Sequence, residues 1–268
     1  MNSDPYYEIS AVSLAVGFIL LVIPSGFSKL LRLGIVKDLI WGAVRAAIQL
    51  MIVGALLGWV LSRREPYIPV AGLFLMLLSA GINAQRRQKF PYPWLWLKAT
   101  GVIVTATILP LVFILIFVVR ADPWYTPRLM IPLAGMVMGN SMSAVVLGLD
   151  RFYAGFKDRW ALIEARLALG ASRYQACLPV VRGAARASLL PIINTMMIIG
   201  IVHLPGMIVG QITAGGDPNQ AARYQLMIMY AIATANALAT FGVIFLGISR
   251  FMTNHHQIRY ETVREDLQ

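Results

Sequence analysis

Long apolar runs separated by short polar connections set the pattern of this chain. Runs of about 18 or more apolar residues predict helices that cross a membrane. We therefore predict an all-α, polytopic membrane protein with about seven transmembrane helices. The predicted spans are residues 9–25, 38–61, 68–84, 95–119, 129–149, 189–211 and 225–248. In this prediction residues 1–268 form a single transmembrane domain, whose largest polar feature is an insertion at about 151–186.

The basic residues are distributed unevenly among the connections. One alternate set of connections, which includes the insertion, holds most of the 23 lysines and arginines. The other set holds only Arg63, Arg64, Arg120, Arg128 and Arg223. Because lysine and arginine are concentrated in cytoplasmic loops, this asymmetry predicts an external N-terminus and a cytoplasmic C-terminus. We expect a multi-pass protein of the cell (inner) membrane.

Composition supports this class and excludes others. Apolar residues make up 58% of the chain and charged residues 13%, too few for an ordinary soluble domain. The chain has a net charge of +11, and most of its lysines and arginines lie in the connections between spans and not on one soluble face. We therefore predict that it binds the lipid bilayer and no nucleic acid. Cys177 is the only cysteine, which rules out an intramolecular disulfide. We expect no cleavable signal peptide, because the first residues lack a basic segment.

The sequence contains neither of the two usual features that supply energy for transport, an ion-coupling carboxylate within a span or an ATP-binding loop. None of the 12 acidic residues lies in the middle of a predicted span, whereas ion-coupled carriers keep a carboxylate there. The chain has no GxxxxGK(S/T) loop, so it cannot hydrolyse ATP alone. HExxH, GxSxG and paired carboxylates are also absent. We therefore predict a non-catalytic membrane subunit that holds no cofactor of its own.

The polar insertion predicts a pair of helices. Asp158 can begin the first helix, which Gly170 then ends. Ser172 can cap a second, short helix that runs to Leu178, before Pro179. The insertion is therefore structured and exposed to the cytoplasm in this prediction.

The first of these helices has a modest apolar stripe formed by Leu162, Ala165 and Leu169. Such a stripe can dock on another protein. From the residues alone, a helix lying flat on anionic lipid, with its arginines towards the headgroups, is an equally good interpretation.

The segment EARLALGAS, residues 164–172, resembles the coupling helix of ABC transporter permeases. The matching positions are Glu164, Ala165, Gly170, Ala171 and Ser172, and Arg166 lies among them. In those permeases the segment sits in a groove of a separate ATPase subunit and passes its closure to the membrane helices. The resemblance implies that ATP is bound by a P-loop ATPase partner, to which these residues couple the chain.

Five further segments resemble, in order, the UPF0014 family. They are RAAIQLMIVG (45–54), NAQRR (83–87), IPLAGMVMGNSM (131–142), HLPGMIVGQITAGGDP (203–218) and YQLMIMY (224–230). That family includes bacterial iron-export permeases and plant permeases linked to aluminium tolerance, and its members do not all carry the same cargo. The resemblance implies an ABC permease that assembles as a homodimer with two ATPase subunits.

Polar residues within the spans are candidates for a transport pathway. Arg45 and Gln49 lie four apart in an apolar span and so share a helix face. Burying an arginine in lipid costs at least about 2.5 kcal/mol, so Arg45 should face the bundle interior or snorkel to the cytoplasmic rim. Asn83, in the NAQRR segment, is a further pathway candidate.

The segment GMVMGNSMS adds Asn140, Ser141 and Ser143 to the pathway candidates, since a buried amide must find a partner. Met136 is a candidate metal ligand, because thioethers favour soft metals and are poor partners for ferric iron. Packing between helices is the simpler interpretation of the methionines.

His203 is a second candidate metal ligand. It precedes Pro205 within an apolar run, and a helix broken there can expose backbone carbonyls to a cavity. A hydrogen-bonded histidine at a kink is an equally good interpretation. Met207, just after the break, is a pathway candidate, and His255 and His256 are expected to be solvated.

The missing energy source and the coupling-helix resemblance predict the membrane subunit of an ATP-driven transporter. The resemblance to the UPF0014 family implies that it exports a metal ion, with iron as the first cargo to test. Two alternatives stay open at this point. One is an ABC permease for an organic solute such as a nucleotide sugar or an amino acid. The other is a passive channel or a standalone carrier.

Overall fold

A computed structural model describes residues 10–62, 65, 67–87, 94–120, 122–253, 255 and 257–260. These residues fold into α-helices that belong to two compact units, one before and one after residue 64. Within the described ranges, seven helical segments are long and apolar enough to cross a membrane. This confirms the predicted all-α, polytopic class.

The first unit contributes two of these segments. Its described helices are α1 Ala11–Phe18, α2 Val22–Leu30 and α3 Val36–Ser62, with a 3-10 turn Ile19–Leu21 between the first two. Ser10 caps α1 by accepting a hydrogen bond from the Ser13 N–H at 3.1 Å. Most large apolar side chains of this unit are exposed, as expected of helices that face lipid tails.

The second unit is built around two long helices. Its described helices are α4 Tyr67–Arg86, α5 Leu95–Phe113, α6 Pro127–Asp158, α7 Trp160–Ala168, α8 Arg173–Ile198, α9 Gly206–Thr213 and α10 Pro218–Phe251. A π-helical turn, Ile114–Val118, follows α5. The central helix α6 packs against α4, α5, α8 and α10. At 32 and 34 residues, α6 and α10 are about 48 and 51 Å long. Both are longer than the roughly 30 Å hydrocarbon core, so they extend beyond it.

Aromatic rings fill one end of this bundle. Phe152, Phe156 and Phe251 are fully buried, and the rings of Phe156 and Phe251 stack with their centroids 4.8 Å apart. A Cβ at Gly247 would lie 2.7 Å from the Phe152 ring, so the close approach of α6 and α10 requires glycine there. Ile163, which is 1% exposed, anchors α7 to this packed end.

Two buried hydroxyl groups, those of Ser188 and Thr240, connect the helices α6, α8 and α10. The Ser188 hydroxyl donates a hydrogen bond to the Ala144 carbonyl at 2.9 Å and lies 2.8 Å from Thr240 Oγ1. Since the Ser188 proton points at Ala144, the Thr240 hydroxyl donates to Ser188. This chain of bonds joins α6, α8 and α10.

We expect Ser188→Ala to lower the free energy of unfolding by about 1–2 kcal/mol, because the buried Thr240 hydroxyl would lose its acceptor. Chemical denaturation of the purified protein in detergent measures this change. Ser143→Ala is the matched control, since the exposed Ser143 hydroxyl bonds only to Gly139 O of its own helix. Equal destabilisation by both substitutions would contradict the role assigned to Ser188.

The structure corrects the prediction for the second half of the insertion. A short helix ending at Leu178 is wrong, because α8 continues through Pro179 to Ile198. Ala176, Cys177 and Val180 are buried in the core, and this packing offsets the roughly 3 kcal/mol that proline costs inside a helix. The predicted helix pair is therefore α7 and the first turns of a membrane-length helix.

Two further boundaries differ from the prediction. Asp158 does not begin α7, because it is the last residue of α6 and Arg159 forms the junction. The predicted span 189–211 is not one helix, since α8 ends at Ile198 and α9 begins at Gly206. Gly200, with a φ of +81°, adopts the left-handed conformation just after α8 ends.

Candidate functional site

A cavity of about 530 Å³ lies within the second unit. Its wall is formed by α6, α8 and α10 and by residues 203–207, where the chain passes from the break into α9. A volume of this size is in the range of ligand pockets in proteins. The cavity is therefore the candidate binding site.

One face of α6 brings three of the predicted residues to this wall. Met136, Asn140 and Ser143 have the spacing of a single helix face, and all three line the cavity. Asn140 was expected to be buried, but it is exposed and donates to the Met136 carbonyl at 2.8 Å. Its amide oxygen is thus available to the cavity.

The non-helical segment between α8 and α9, together with the start of α9, supplies the other predicted residues of the site. His203, Pro205 and Met207 line the cavity, which confirms the predicted break in this apolar run. The segment is held by its own backbone, since the Gly200 N–H donates to the His203 carbonyl at 2.9 Å. His203 itself is exposed.

The amides of α10 are the residues that the sequence prediction missed. Gln225 and Asn236 line the cavity together with Met229, on one face of α10. Each amide side chain is only 5% exposed. The carboxamide oxygens of both have no hydrogen-bond partner among the residues that the structure describes. Their common helical face, inside a span otherwise rich in apolar residues, is a signal that could have indicated them.

Other predicted residues lie elsewhere. Ser141 is buried away from the cavity and donates to the Val137 carbonyl at 2.9 Å. Asn83, near the end of α4, is half-buried and donates to the Ser79 carbonyl at 2.7 Å. Neither side chain lines the cavity.

Arg45 and Gln49 belong to the first unit. Both lie on α3, one helical turn apart, and both side chains are exposed. Their role in a pathway stays a prediction. His255 is described, whereas His256 lies outside the described residues.

The polar groups of the cavity wall are mostly amides and hydroxyls. Among its described lining residues there is no aspartate, glutamate, lysine or arginine. The polar groups are amides, hydroxyls, thioethers and the His203 imidazole. Over the described ranges, no group of three or more His, Cys, Asp or Glu side chains could hold a metal ion. A metal in this cavity would therefore have amide and hydroxyl oxygens, thioether sulfurs and the His203 imidazole as possible ligands, and no carboxylate.

A short turn, residues 169–172, joins α7 to α8 outside the cavity, and we call it the elbow. The Ala171 N–H donates to the Arg166 carbonyl at 3.0 Å and the Gly170 N–H donates to the Leu167 carbonyl at 2.9 Å, which is a Schellman motif. Gly170 has a φ of +86°, a left-handed conformation that favours glycine. The predicted end of this helix at Gly170 is confirmed.

The second helix of the elbow begins as predicted at Ser172. Ser172 and Gln175 form a capping box, in which the Ser172 N–H donates to Gln175 Oε1 at 2.9 Å. The Schellman motif ends α7 and the capping box begins α8, so both helix ends that border the elbow are held by hydrogen bonds. The angle between α7 and α8 is therefore fixed locally.

The outer face of α7 is largely exposed in the described part of the chain. Leu162 is 47% exposed and Leu169 is 87% exposed, and Glu164 and Ala165 are exposed beside them. On the opposite side Ile163 is buried in the core. The helix is thus anchored on one face and open on the other.

Residues 257–260 pack beside this face. The Tyr260 hydroxyl donates a hydrogen bond to the Glu164 carboxylate, and the rings of Tyr260 and Trp160 meet edge to face at 6.2 Å. The hydrogen bond to Glu164, helped by burial and by the carboxylate charge, raises the pKa of the Tyr260 hydroxyl. Ile258 anchors the segment through its pairing with Met252.

Membrane-length helices around a polar cavity define a multi-pass membrane protein, and comparison with known proteins agrees. Residues 11–252 match the model of an uncharacterised protein family, UPF0014. The chain belongs to the UPF0014 family. It is similar to a UPF0014 membrane protein of Synechocystis, with 35% identity over 84% of this chain and 87% of the relative.

Two other relatives have more informative names. The probable iron export permease protein FetB of Escherichia coli is 32% identical over 96% of this chain and 97% of its own. The protein ALUMINUM SENSITIVE 3 of Arabidopsis thaliana is 25% identical over 92% of this chain and 89% of its own. No solved structure matches the chain.

Proposed function

We propose that this membrane permease is the transmembrane subunit of an ATP-driven ABC transporter that exports a metal ion, with iron as the first candidate. ATP is bound and hydrolysed by a separate P-loop ATPase, and two permeases assemble with two ATPases. The N-terminus lies outside the cell (inner) membrane and the elbow and C-terminus lie in the cytoplasm. The similarity to the iron export permease FetB supports a metal as cargo.

One observation carries the proposal: α8 connects the elbow to the cavity. It begins at the Ser172 cap and lines the cavity with Ser188 and Thr195. At about 1.5 Å per residue, roughly 22 Å of continuous helix separates Arg173 from Ser188. A displacement of the elbow therefore moves the cavity wall, because the helix transmits it without an intervening loop.

The elbow also offers a surface suited to an ATPase groove. The exposed apolar face of α7 is bordered by the charged residues Glu164 and Arg166. When the ATPases bind ATP and close, this face is displaced together with α8. The cavity then changes the side of the membrane to which it is open.

We expect the charge swap Glu164→Arg/Arg166→Glu to reduce ATP-dependent metal transport by about tenfold, because it reverses the polarity of the docking surface. The permease and its co-purifying ATPase are reconstituted into vesicles, and metal accumulation is measured with and without ATP. Membrane insertion, checked by fractionation, is expected to be unchanged.

The control for this test is Tyr260→Phe. It removes the hydrogen bond to Glu164 within the chain but keeps the Glu164 charge for the partner. Full transport by Tyr260→Phe, together with loss in the charge swap, assigns the effect to the partner contact. Transport that is unaltered by the swap contradicts the proposal. Flux without nucleotide would favour a passive channel, and accumulation of an organic solute in place of metal would favour the other ABC permease class.

A further inference from the structure

We propose that the second unit binds one anionic phospholipid in a groove between α5 and α10, with the lipid phosphate at Arg223 and an acyl chain along the groove. This site is separate from the cavity described above. The inference goes beyond the proposed transport function, because it depends neither on the cargo nor on an ATPase. The proposed orientation of the chain decides only which leaflet supplies the lipid.

The groove lies where α5 departs from regular helical geometry. Pro110, inside α5, has no backbone N–H to donate, and the π-helical turn Ile114–Val118 follows it. Further from this turn the two helices are in close contact, since a Cβ on Gly242 would lie 2.9 Å from Val102 Cγ1. Nearer to the start of α10, a groove of about 510 Å³ lies between the same two helices. The helices therefore touch at one end of the groove and part towards the start of α10.

The lining of the groove suits an acyl chain. Among its described lining residues, only Arg223, Tyr230 and Thr234 have polar side chains. The Thr234 hydroxyl donates to the Tyr230 carbonyl at 2.9 Å, so its proton is already used within α10. The apolar side chains of Leu109 and Phe113 are each 56% exposed. From Arg223 to Thr234, α10 rises about 16 Å, close to half of the roughly 30 Å hydrocarbon core. The groove is thus about one leaflet deep.

The polar end of the groove lies at the level of the headgroups. Trp124 and Tyr125 follow the π-helical turn in the connection to α6, and such rings prefer the membrane interface. Arg223 lies at the same end, is exposed, and has no hydrogen bond or ion pair with any residue that the structure describes. A guanidinium group binds phosphate oxygens with two parallel hydrogen bonds. One cation at the mouth of an apolar groove is the complement of an anionic lipid.

A second copy of the chain fits this groove less well. Two copies in one membrane are related by an axis along the membrane normal, so a symmetric contact would set one groove against the other. Arg223 of each copy would then lie at the same depth, and like charges across an interface oppose association. A free phosphate ion would neutralise the arginine but leave the apolar part of the groove uncovered. A phospholipid satisfies both parts.

The test is lipid retention by the full-length chain, purified in detergent and given equimolar phosphatidylglycerol and phosphatidylcholine with identical acyl chains. Native mass spectrometry counts the lipids bound. We expect one phosphatidylglycerol per chain, with a preference of about fivefold over phosphatidylcholine, the effect of one basic residue near an anionic headgroup. Arg223→Gln is expected to abolish this preference and Arg223→Lys to keep most of it. Arg128→Gln is the matched control, since this exposed arginine at the start of α6 does not line the groove, and it is expected to retain the preference.

A second pair of variants tests the apolar part of the groove. Thr234→Phe fills the groove from an exposed position, and we expect it to lower the retention of both lipids at least about tenfold, because the chain loses buried apolar contact. Leu238→Phe, one helical turn further along α10 and also exposed, does not line the groove and is expected to bind lipid like wild type. Excess glycerol phosphate, a headgroup without acyl chains, is expected to leave the bound lipid in place.

Equal lipid preference in Arg223→Gln and Arg128→Gln would overturn the inference, as would a wild-type chain without bound lipid. Displacement by glycerol phosphate would assign Arg223 to a phosphate site without an acyl chain. A wild-type dimer that Thr234→Phe converts to monomer would assign the groove to a second copy. Each of these outcomes leaves the proposed function standing, because ATP-driven transport is measured separately. Conversely, normal transport by the elbow charge swap would remove the coupling proposal and leave the lipid site intact.

Discussion

Gly170→Val is expected to reduce ATP-dependent metal export on the order of tenfold without removing the protein from the membrane. At a φ of +86°, a residue with a Cβ is strained by about 1–2 kcal/mol, and a β-branched residue by more. The space around Gly170 is open, so the penalty is conformational and not steric. Valine therefore disfavours the Schellman motif and releases the fixed angle between α7 and α8.

The measurement is metal accumulation in vesicles that contain permease and ATPase, normalised to the amount of inserted permease. Gly170→Asn is the permissive control, because asparagine tolerates the left-handed conformation, and it is expected to keep most of the transport. Gly183→Ala, on α8 with nothing near its Cβ position, is expected to transport like wild type. If valine and asparagine at position 170 behave alike, the elbow angle does not control coupling.

The largest loss of stability is expected from Gly81→Ala, at the contact of α4 and α5. A Cβ built on Gly81 would lie 1.7 Å from Thr100 Oγ1 and 2.7 Å from Thr100 Cβ. The Thr100 hydroxyl is held by the Trp96 carbonyl at 2.6 Å, so the side chain cannot turn away without losing this bond. We expect the free energy of unfolding to fall by about 3 kcal/mol or more, at the upper end for overpacked cores.

Thermal and chemical unfolding in detergent measure this loss. Gly101→Ala is the control at the same helix pair, because a Cβ there meets nothing and alanine favours helix, and it is expected to be neutral or slightly stabilising. Thr100→Gly combined with Gly81→Ala removes the clashing side chain and should recover part of the stability. A Gly81→Ala protein as stable as Gly101→Ala would show that α4 and α5 separate easily.

The elbow and the cavity depend on different features of the chain. The elbow depends on backbone geometry at Gly170 and Ser172, which short-range chemistry determines. The cavity depends on side chains from α6, α8 and α10 that are far apart in sequence. The helix α8 belongs to both, so substitutions along it between the elbow and Ser188 are the ones expected to affect coupling and cargo binding together.

Much of the fold and the elbow was predictable from the sequence because both depend on local interactions. Apolar runs long enough for a bilayer identify the spans, since every backbone polar group in lipid must be satisfied within a helix. Gly170 and Ser172 mark helix ends through conformational freedom and capping, and both were predicted. His203, Met136, Asn140, Ser143 and Met207 were also indicated, as polar or sulfur-containing groups in apolar runs, and all five line the cavity.

Only the tertiary structure determined which polar residues share a cavity and how far α8 extends. Ser141 and Asn83 resemble the true wall residues in sequence, but their side chains point to other parts of the bundle. Gln225 and Asn236 look unremarkable in an apolar span until α6 and α8 are packed beside them. Pro179 stays helical because the neighbours of Cys177 bury that turn. Packing between distant segments decides these features, and its free energy exceeds the local preferences that a sequence pattern records.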